Sequence, residues 1–304
     1  MKSEMVWMDG EMVPYDQATV QFLTPTLHYG MGVFEGIRCY QTPRGPAVFR
    51  LHEHLQRFLS SIHILGVQDF PYTVKDLRNA VHDTVQANGY DECYIRPLMY
   101  LEGPMGLNMD KSRPRVGIAA WEWGPYLGEG AEENGVRMMV SSFTRLHPNI
   151  NMTKAKVSGN YVNSMLVKTL ALRSGYDEAV ILDPEGFVSE CTGENIFIVA
   201  EGKLKTPPLA LVLDGITRDS IITLAGEMNI PFEEDLLTRD QLYIADEVFI
   251  CGTAAEVVPV IEIDTRKVGC GKIGPVTERL KKAFFENARG LGVHSEWLDY
   301  ADQA

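Results

Sequence analysis

Strand-like and helix-like stretches follow one another along this chain without the regular strand–helix–strand alternation of a doubly wound parallel sheet. VWMDGEMV, residues 6–13, is two short apolar runs around Asp9-Gly10, a hairpin signal. PAVFR runs straight into LHEHLQRFLSSIHILG, where Leu51, Leu55, Phe58, Leu59 and Ile62 recur at helical spacing and Gly66 follows as a stop. Thr73 and Asp76 read as a capping box for a helix whose buried face is Val74, Leu77, Val81 and Val85, ending at Gly89. Two strand-like runs, CYIRPLMYL and VGIAAWEW, then come in succession. In the second half VRMMVSSF, EAVILD, FVSE, NIFIVA and EVFICG read as strands. The helices expected there are one through Leu166, Leu170 and Leu172 to Gly175, ITRDSIITLAGEMN, and VTERLKKAFFENARG. The pattern predicts an α+β or mixed α/β fold.

Between the halves lies GPYLGEGAEENG, rich in Gly and Glu and poor in bulky apolar residues. It predicts a linker over 125–135, between an N-terminal α+β domain, 1–124, and a C-terminal domain, 136–304. A chain of 304 residues with 45% hydrophobic residues has material for such cores. A net charge of −13 argues against nucleic acid or an anionic membrane as partner. The first fifteen residues lack a signal-type apolar core, and no run of about 18 apolar residues occurs, so neither export nor a membrane span is expected. Five cysteines, 39, 93, 191, 251 and 270, form no CxxC and fit a reduced, cytoplasmic chain. No metal-ligand spacing, GxGxxG or P-loop is present.

The stretches that bear on chemistry are individually modest. TKAKVSGNYVNSMLVK, 153–168, places Lys154, Lys156 and Lys168 at a helix start on an acidic chain. Thr217 in DGITRDS is an ordinary N-cap residue, or the rim of an anion site at a helix N-terminus. Thr253-Ala254 in CGTAAEV forms a tight turn of small residues. Trp121, Trp123 and Tyr126 are core, interface or pocket aromatics. His28, His52, His54 and His63 have no nucleophile beside them and read as surface or core fillers. Glu190 and Glu194 flank Cys191-Thr192-Gly193 and read by default as a solvated turn.

Taken in order, these stretches are specific. LHYGMGVFEGIRCY, FRLHEHLQRF, CYIRPL, AAWEWGPYLG, KAKVSGNYVNS, SECTGENIF, DGITRDS and DEVFICGTAAEVVPV together resemble the branched-chain-amino-acid aminotransferases of fold type IV, the class IV pyridoxal 5'-phosphate (PLP) transaminases. The resemblance implies a two-domain fold like that of D-amino-acid aminotransferase, with a small N-terminal and a larger, PLP-binding C-terminal domain. It implies a cytoplasmic enzyme that moves the amino group of leucine, isoleucine or valine to 2-oxoglutarate and back, with biosynthesis as the expected direction. A homodimer, or a higher homo-oligomer, is implied as well.

By the same resemblance Lys156, not Lys154 or Lys168, holds the cofactor aldehyde covalently. A free lysine amine, with a pKa of about 10.4, is protonated at neutral pH, and attachment to the aldehyde removes that obstacle. Glu190 faces the pyridine nitrogen and Tyr161 the ring oxygen. Arg57, the Ile216 and Thr217 backbone and the Thr253 hydroxyl hold the phosphate. Tyr29, Phe34, Trp123 and Tyr126 form the apolar wall, and Arg96 receives the glutamate side-chain carboxylate. Tyr94 with Thr253-Ala254 takes the α-carboxylate, and Met105 and Leu107 reach the pocket of the dimer partner. Ser158 and Cys191 stand where the family commonly has Gly. Three alternatives compete: a D-amino-acid aminotransferase, an aminodeoxychorismate lyase, and a non-catalytic binding domain on the same fold.

Overall fold

A computed structural model describes residues 3–301; residues 1–2 and 302–304 of the two expected domains lie outside the described residues. The chain divides into two compact units. One holds the residues up to Trp123, the hexapeptide Ala155–Asn160 and the chain from Asn287 on; the other holds Gly124–Lys154 and Tyr161–Glu286.

This division differs from the expected one at three places. The hexapeptide with Lys156 belongs to the first unit, not to a C-terminal domain. The C-terminal end joins the first unit too, where strand Leu298–Asp299 pairs with Gly45–Phe49 and Arg78 Nε donates to Asp299 Oδ1 at 2.9 Å. Residues 125–135 are no linker: Ala131 is buried in the core of the second unit, with Tyr126 and Leu127 packed against it. Their glycines serve local turns, with φ of +99° at Gly128 and +78° at Gly135, which gave the stretch its linker-like composition.

The first unit is built on an eight-stranded antiparallel sheet. Its long central pair, Cys93–Glu102 and Arg113–Trp121, follows in sequence as expected. The Asp9-Gly10 hairpin forms, with φ of +48° and +103° at the two turn residues. Helices Leu51–Ile64 and Val74–Asn88 cover one core. Leu51, Leu55, Phe58 and Ile62 from the first and Leu77, Val81 and Val85 from the second are buried there against Ile37, Ile95, Met99 and Ile118. The Thr73–Asp76 capping box is present.

The second unit carries a nine-stranded mixed sheet. Strand Val136–Thr144 runs parallel to both neighbours, Glu178–Leu182 and Glu256–Ile263. Glu247–Gly252 and Asn195–Ala200 pair antiparallel beside them, with Phe197 stacked on Phe249 at 5.0 Å between centroids. One antiparallel and one mixed sheet, each with helices, make the mixed α+β architecture that the irregular order of elements predicts. Helix Tyr161–Arg173 forms where the sequence places it. Ser164, Val167 and Ala171 are its buried residues, whereas Leu166 and Leu172 are exposed, because the helix is apolar on more than one side. Among the described residues no helix is long and apolar enough to cross a membrane.

Candidate active site

In the first unit the hexapeptide Ala155–Asn160 lies along the segment Gly30–Phe34. The Phe34 N–H donates to the Lys156 carbonyl at 3.1 Å, and Val33 bridges Val157. The Gly159 N–H donates to the Gly30 carbonyl at 3.0 Å. Gly30 has φ of +72°, and a Cβ on it would stand 2.9 Å from Gly159 Cα, so this crossing of two backbones needs glycine. On its other side Lys156 is tied to helix Leu51–Ile64: its N–H donates to Ser61 Oγ at 3.1 Å, and the Ser61 hydroxyl donates to the Arg57 carbonyl at 2.8 Å. The Lys156 amine lies 4.9 Å from the centre of the Phe34 ring.

The three lysines of this stretch thus have different roles. Lys154 donates to the carbonyls of Leu209 and Val212, and burial lowers its pKa. Lys168 pairs with the buried Glu178 at 2.7 Å and donates to the Asp177 carbonyl. Both are committed to structure within the second unit, and Lys156 alone belongs to the unit that holds Arg57.

Arg57 is anchored by a residue absent from the sequence-derived set. Its Nε and Nη2 donate to the two carboxylate oxygens of Glu35 at 2.7 and 2.8 Å, and His54 Nδ1 donates to Glu35 Oε2 at 2.8 Å. Glu35 and His54 are 0% and 1% exposed, so His54 is a buried hydrogen-bond partner of the Glu35 carboxylate and more than a filler. Burial alone would raise the Glu35 pKa. The Arg57 charge and then the His54 hydrogen bond outweigh it and hold the carboxyl far below its ordinary value. Burial lowers His54, against the pull of Glu35, so its imidazole is neutral at pH 7. Removing one member of such a buried pair typically costs ~3–5 kcal/mol.

Around Arg96 the first unit forms an aromatic nest. Its guanidinium lies 4.7 Å from the Phe34 ring centre, 5.3 Å from Tyr94 and 5.8 Å from Trp121. Nη2 donates to the Tyr94 hydroxyl at 3.3 Å, while buried Arg96 Nε and Trp121 Nε1 have no hydrogen-bond partner among the described residues. Trp123 stands edge-on to Tyr94 at 4.6 Å. Gly36 lets the Tyr94 hydroxyl in, since a Cβ there would stand 1.9 Å from it. Two unpaired buried donors in an apolar wall suit a guest with both an anionic end and an aliphatic body. Tyr29, at the end of helix Pro25–Tyr29, is 47% exposed, and Met105 and Leu107 are exposed as well.

In the second unit Glu190 ends strand Val188–Glu190 and is buried, as is Glu194, so the expected solvated turn is corrected on both counts. Glu190 Oε2 accepts the Leu213 N–H at 3.0 Å, and Oε1 forms an ion pair with Arg145 Nε at 2.6 Å. Asn195 Nδ2 donates to the Leu213 carbonyl at 3.2 Å. Gly215 permits this, since a Cβ on it would stand 1.9 Å from Asn195 Oδ1. The loop so pinned leads into helix Ile216–Glu227, whose N-terminus has no side-chain cap, so Thr217 is inside the helix and not its cap. Tyr161 opens helix Tyr161–Arg173. Thr253 and Ala254 form the turn between strands Glu247–Gly252 and Glu256–Ile263, and Tyr126 packs on the core with Lys168 Nζ 5.5 Å from its ring centre. Among the described residues no cluster of metal-ligating side chains occurs.

Residues 32–263 match the model of the family described as amino-transferase class IV. The chain belongs to the class IV aminotransferases. A relative from Pseudomonas aeruginosa, named branched-chain-amino-acid aminotransferase, is 49% identical over 96% of each chain. The structure of the Escherichia coli branched-chain amino acid aminotransferase is 45% identical with a TM-score of 0.96, covering 98% of this chain and 99% of that one. The structure of the Thermobaculum terrenum branched-chain amino acid aminotransferase in its PLP form is 33% identical with a TM-score of 0.91, covering 97% of each chain. The cofactor of a class IV aminotransferase is PLP, and the residues present fit it. Within the first unit, the Lys156 amine and the anchored Arg57 guanidinium suit an aldehyde and a phosphate; within the second, described by itself, the held Glu190 carboxylate suits a protonated ring nitrogen.

Proposed function

We propose that this class IV aminotransferase moves the amino group of L-leucine, L-isoleucine or L-valine to 2-oxoglutarate, giving a branched 2-oxo acid and L-glutamate, and runs the reverse. The observation that carries the reading is the placement of Lys156: its N–H donates to Ser61 Oγ, the Ser61 hydroxyl donates to the Arg57 carbonyl, and Lys156 belongs with Arg57 to the first unit, as Lys154 and Lys168 do not.

When bound, PLP supplies an aldehyde that carries the amino group and a ring that accepts electrons. Lys156 would hold that aldehyde, and its amine would take and return the proton at the substrate Cα. Glu190, held by the Leu213 N–H and by Arg145, would keep a proton on the ring nitrogen. Tyr161 donates to the ring oxygen. Arg57, the Ile216 and Thr217 backbone N–H groups and the Thr253 hydroxyl bind the phosphate.

The aliphatic class of substrate is supported by the name that the relatives share and by the apolar wall of Phe34 and Trp123, to which Tyr29 and Tyr126 contribute. The second substrate, glutamate, is supported by Arg96: a cation with a buried, unpartnered Nε in an aromatic nest meets a side-chain carboxylate where leucine would place methyl groups. Tyr94 and the Thr253-Ala254 turn take the α-carboxylate.

A homodimer is supported by exposed Val162, Met165 and Leu166 on helix Tyr161–Arg173 and by Leu107, which is 87% exposed. In that assembly Met105 and Leu107 reach the pocket of the second copy. A reducing, cytoplasmic setting suits five cysteines that are all free thiols.

Borohydride reduction of the protein purified with PLP, followed by mass spectrometry, must place a phosphopyridoxyl group on Lys156. Its appearance on Lys154 or Lys168, or on no lysine, ends the proposal. Amine transfer from L-leucine, set beside D-alanine and aminodeoxychorismate, then fixes the substrate class.

A further inference from the structure

Phe34, Glu35 and Gly36 are consecutive, and each meets a different part of the first unit: Phe34 the Lys156 carbonyl, Glu35 the side chain of Arg57, Gly36 the hydroxyl of Tyr94. The middle contact is the one that the proposed chemistry does not use. Glu35 is fully buried, takes Arg57 with both oxygens, and is itself steadied by His54 and by the Gly36 N–H at 3.2 Å. The Glu35 N–H donates to the Pro97 carbonyl at 2.9 Å, so the backbone beneath the carboxylate is fixed as well.

We propose that Glu35 is a positioning residue for Arg57: its carboxylate, braced by His54, sets the plane in which the guanidinium meets the cofactor phosphate. The inference rests on the reading of Arg57 as a phosphate ligand. A guanidinium is a rigid fork, and two parallel bonds to one carboxylate define its orientation completely. Placing that fork before the anion arrives removes the cost of turning it at binding. Two effects oppose each other here. The negative charge of Glu35 weakens the pull of Arg57 on a phosphate, while the fixed plane strengthens its hydrogen bonds. The braced geometry, with every Glu35 oxygen engaged, favours the second. Glu35→Gln would set an amide N–H against the N–H groups of Arg57 and turn the fork.

The test titrates full-length protein, stripped of its cofactor, with PLP and separately with pyridoxal, which lacks the phosphate. The ratio of the two affinities measures the phosphate alone, and a general packing defect lowers both without changing it. Glu35→Gln should reduce the ratio ~10-fold, the scale of one displaced charge-assisted contact. Arg57→Ala is the control. If it leaves the ratio unchanged, the phosphate role of Arg57 fails; if it lowers the ratio and Glu35→Gln leaves or raises it, only the positioning role fails. Should Glu35→Gln not fold, His54→Leu decides, since it removes one donor from the carboxylate and leaves the Arg57 pair in place. A ~3-fold drop in the ratio supports the bracing role, and an unchanged ratio overturns it.

Discussion

Glu194 offers a direct measurement of what the second unit tolerates. It is 4% exposed, its Oε2 accepts the Gly193 N–H at 3.0 Å, and burial together with the Glu178 charge raises its pKa from 4.5 to about 8. Lys168, the cation that pulls the other way, is committed to Glu178. An acid with a raised folded-state pKa stays neutral in the fold while the unfolded chain has already released its proton. Stability therefore falls as pH climbs from 4.5 to about 8, and levels off above. At ~1.4 kcal/mol per pH unit, that interval sets a ceiling of roughly 5 kcal/mol. Glu194→Gln keeps an acceptor for the Gly193 N–H and has nothing to titrate. Urea unfolding of the PLP-saturated parent and variant, at about pH 5 and about pH 8.5, reads the difference. The variant should gain ~2–5 kcal/mol on the parent between the two conditions. Parallel pH profiles would mean that Glu194 titrates as an ordinary glutamate and that the reasoning from its burial is wrong.

Three further changes test the site. Arg96→Ala should lower kcat/KM for glutamate by ~100-fold and for leucine by less than ~10-fold, as loss of one buried charge-assisted contact requires; equal losses would refute the dual pocket. Glu190→Ala should nearly abolish transamination while far-ultraviolet circular dichroism stays unchanged, and an active variant would remove Glu190 from the ring nitrogen. Gly36→Ala puts a methyl 1.9 Å from the Tyr94 hydroxyl, in a ring already wedged against Trp121 and Trp123. It should cost ~1–3 kcal/mol of stability and raise KM for both substrates; a calorimetric scan and initial rates check it.

Local signals carried most of the fold. The Asp9-Gly10 turn, the Thr73 capping box and the periodicity of Leu51–Ile62 depend on neighbours in sequence, and all three are realised. Reading failed where distant residues decide. Residues 125–135 look like a linker until Ala131 is seen in a core to which strands Glu247–Gly252 and Glu256–Ile263, more than a hundred residues downstream, contribute. Leu166 and Leu172 carry a helical apolar signal, yet Ser164, Val167 and Ala171 face inward, because apolar residues lie on more than one side of that helix and periodicity alone does not choose among them. The choice of Lys156 as the proposed cofactor lysine needed the order of motifs across the whole chain. The partners that distinguish it, Leu209 and Val212 for Lys154 and Glu178 for Lys168, are invisible in the stretch itself. Glu35 stands within LHYGMGVFEGIRCY but received no role from the sequence: a lone acid between Phe34 and Gly36 acquires meaning only when the chain brings His54 and Arg57 to it.

The Ser61 hydroxyl, shared between the Arg57 carbonyl and the Lys156 N–H, bears on the rhythm of turnover. A side chain that must let go of its partner and seize it again in each half of the cycle gains if its root never wanders. Here the peptide beneath the amine is moored to a helix on one flank and to a crossing strand on the other. In the proposed cycle, release and recapture would then be a short pendulum stroke about a fixed pivot.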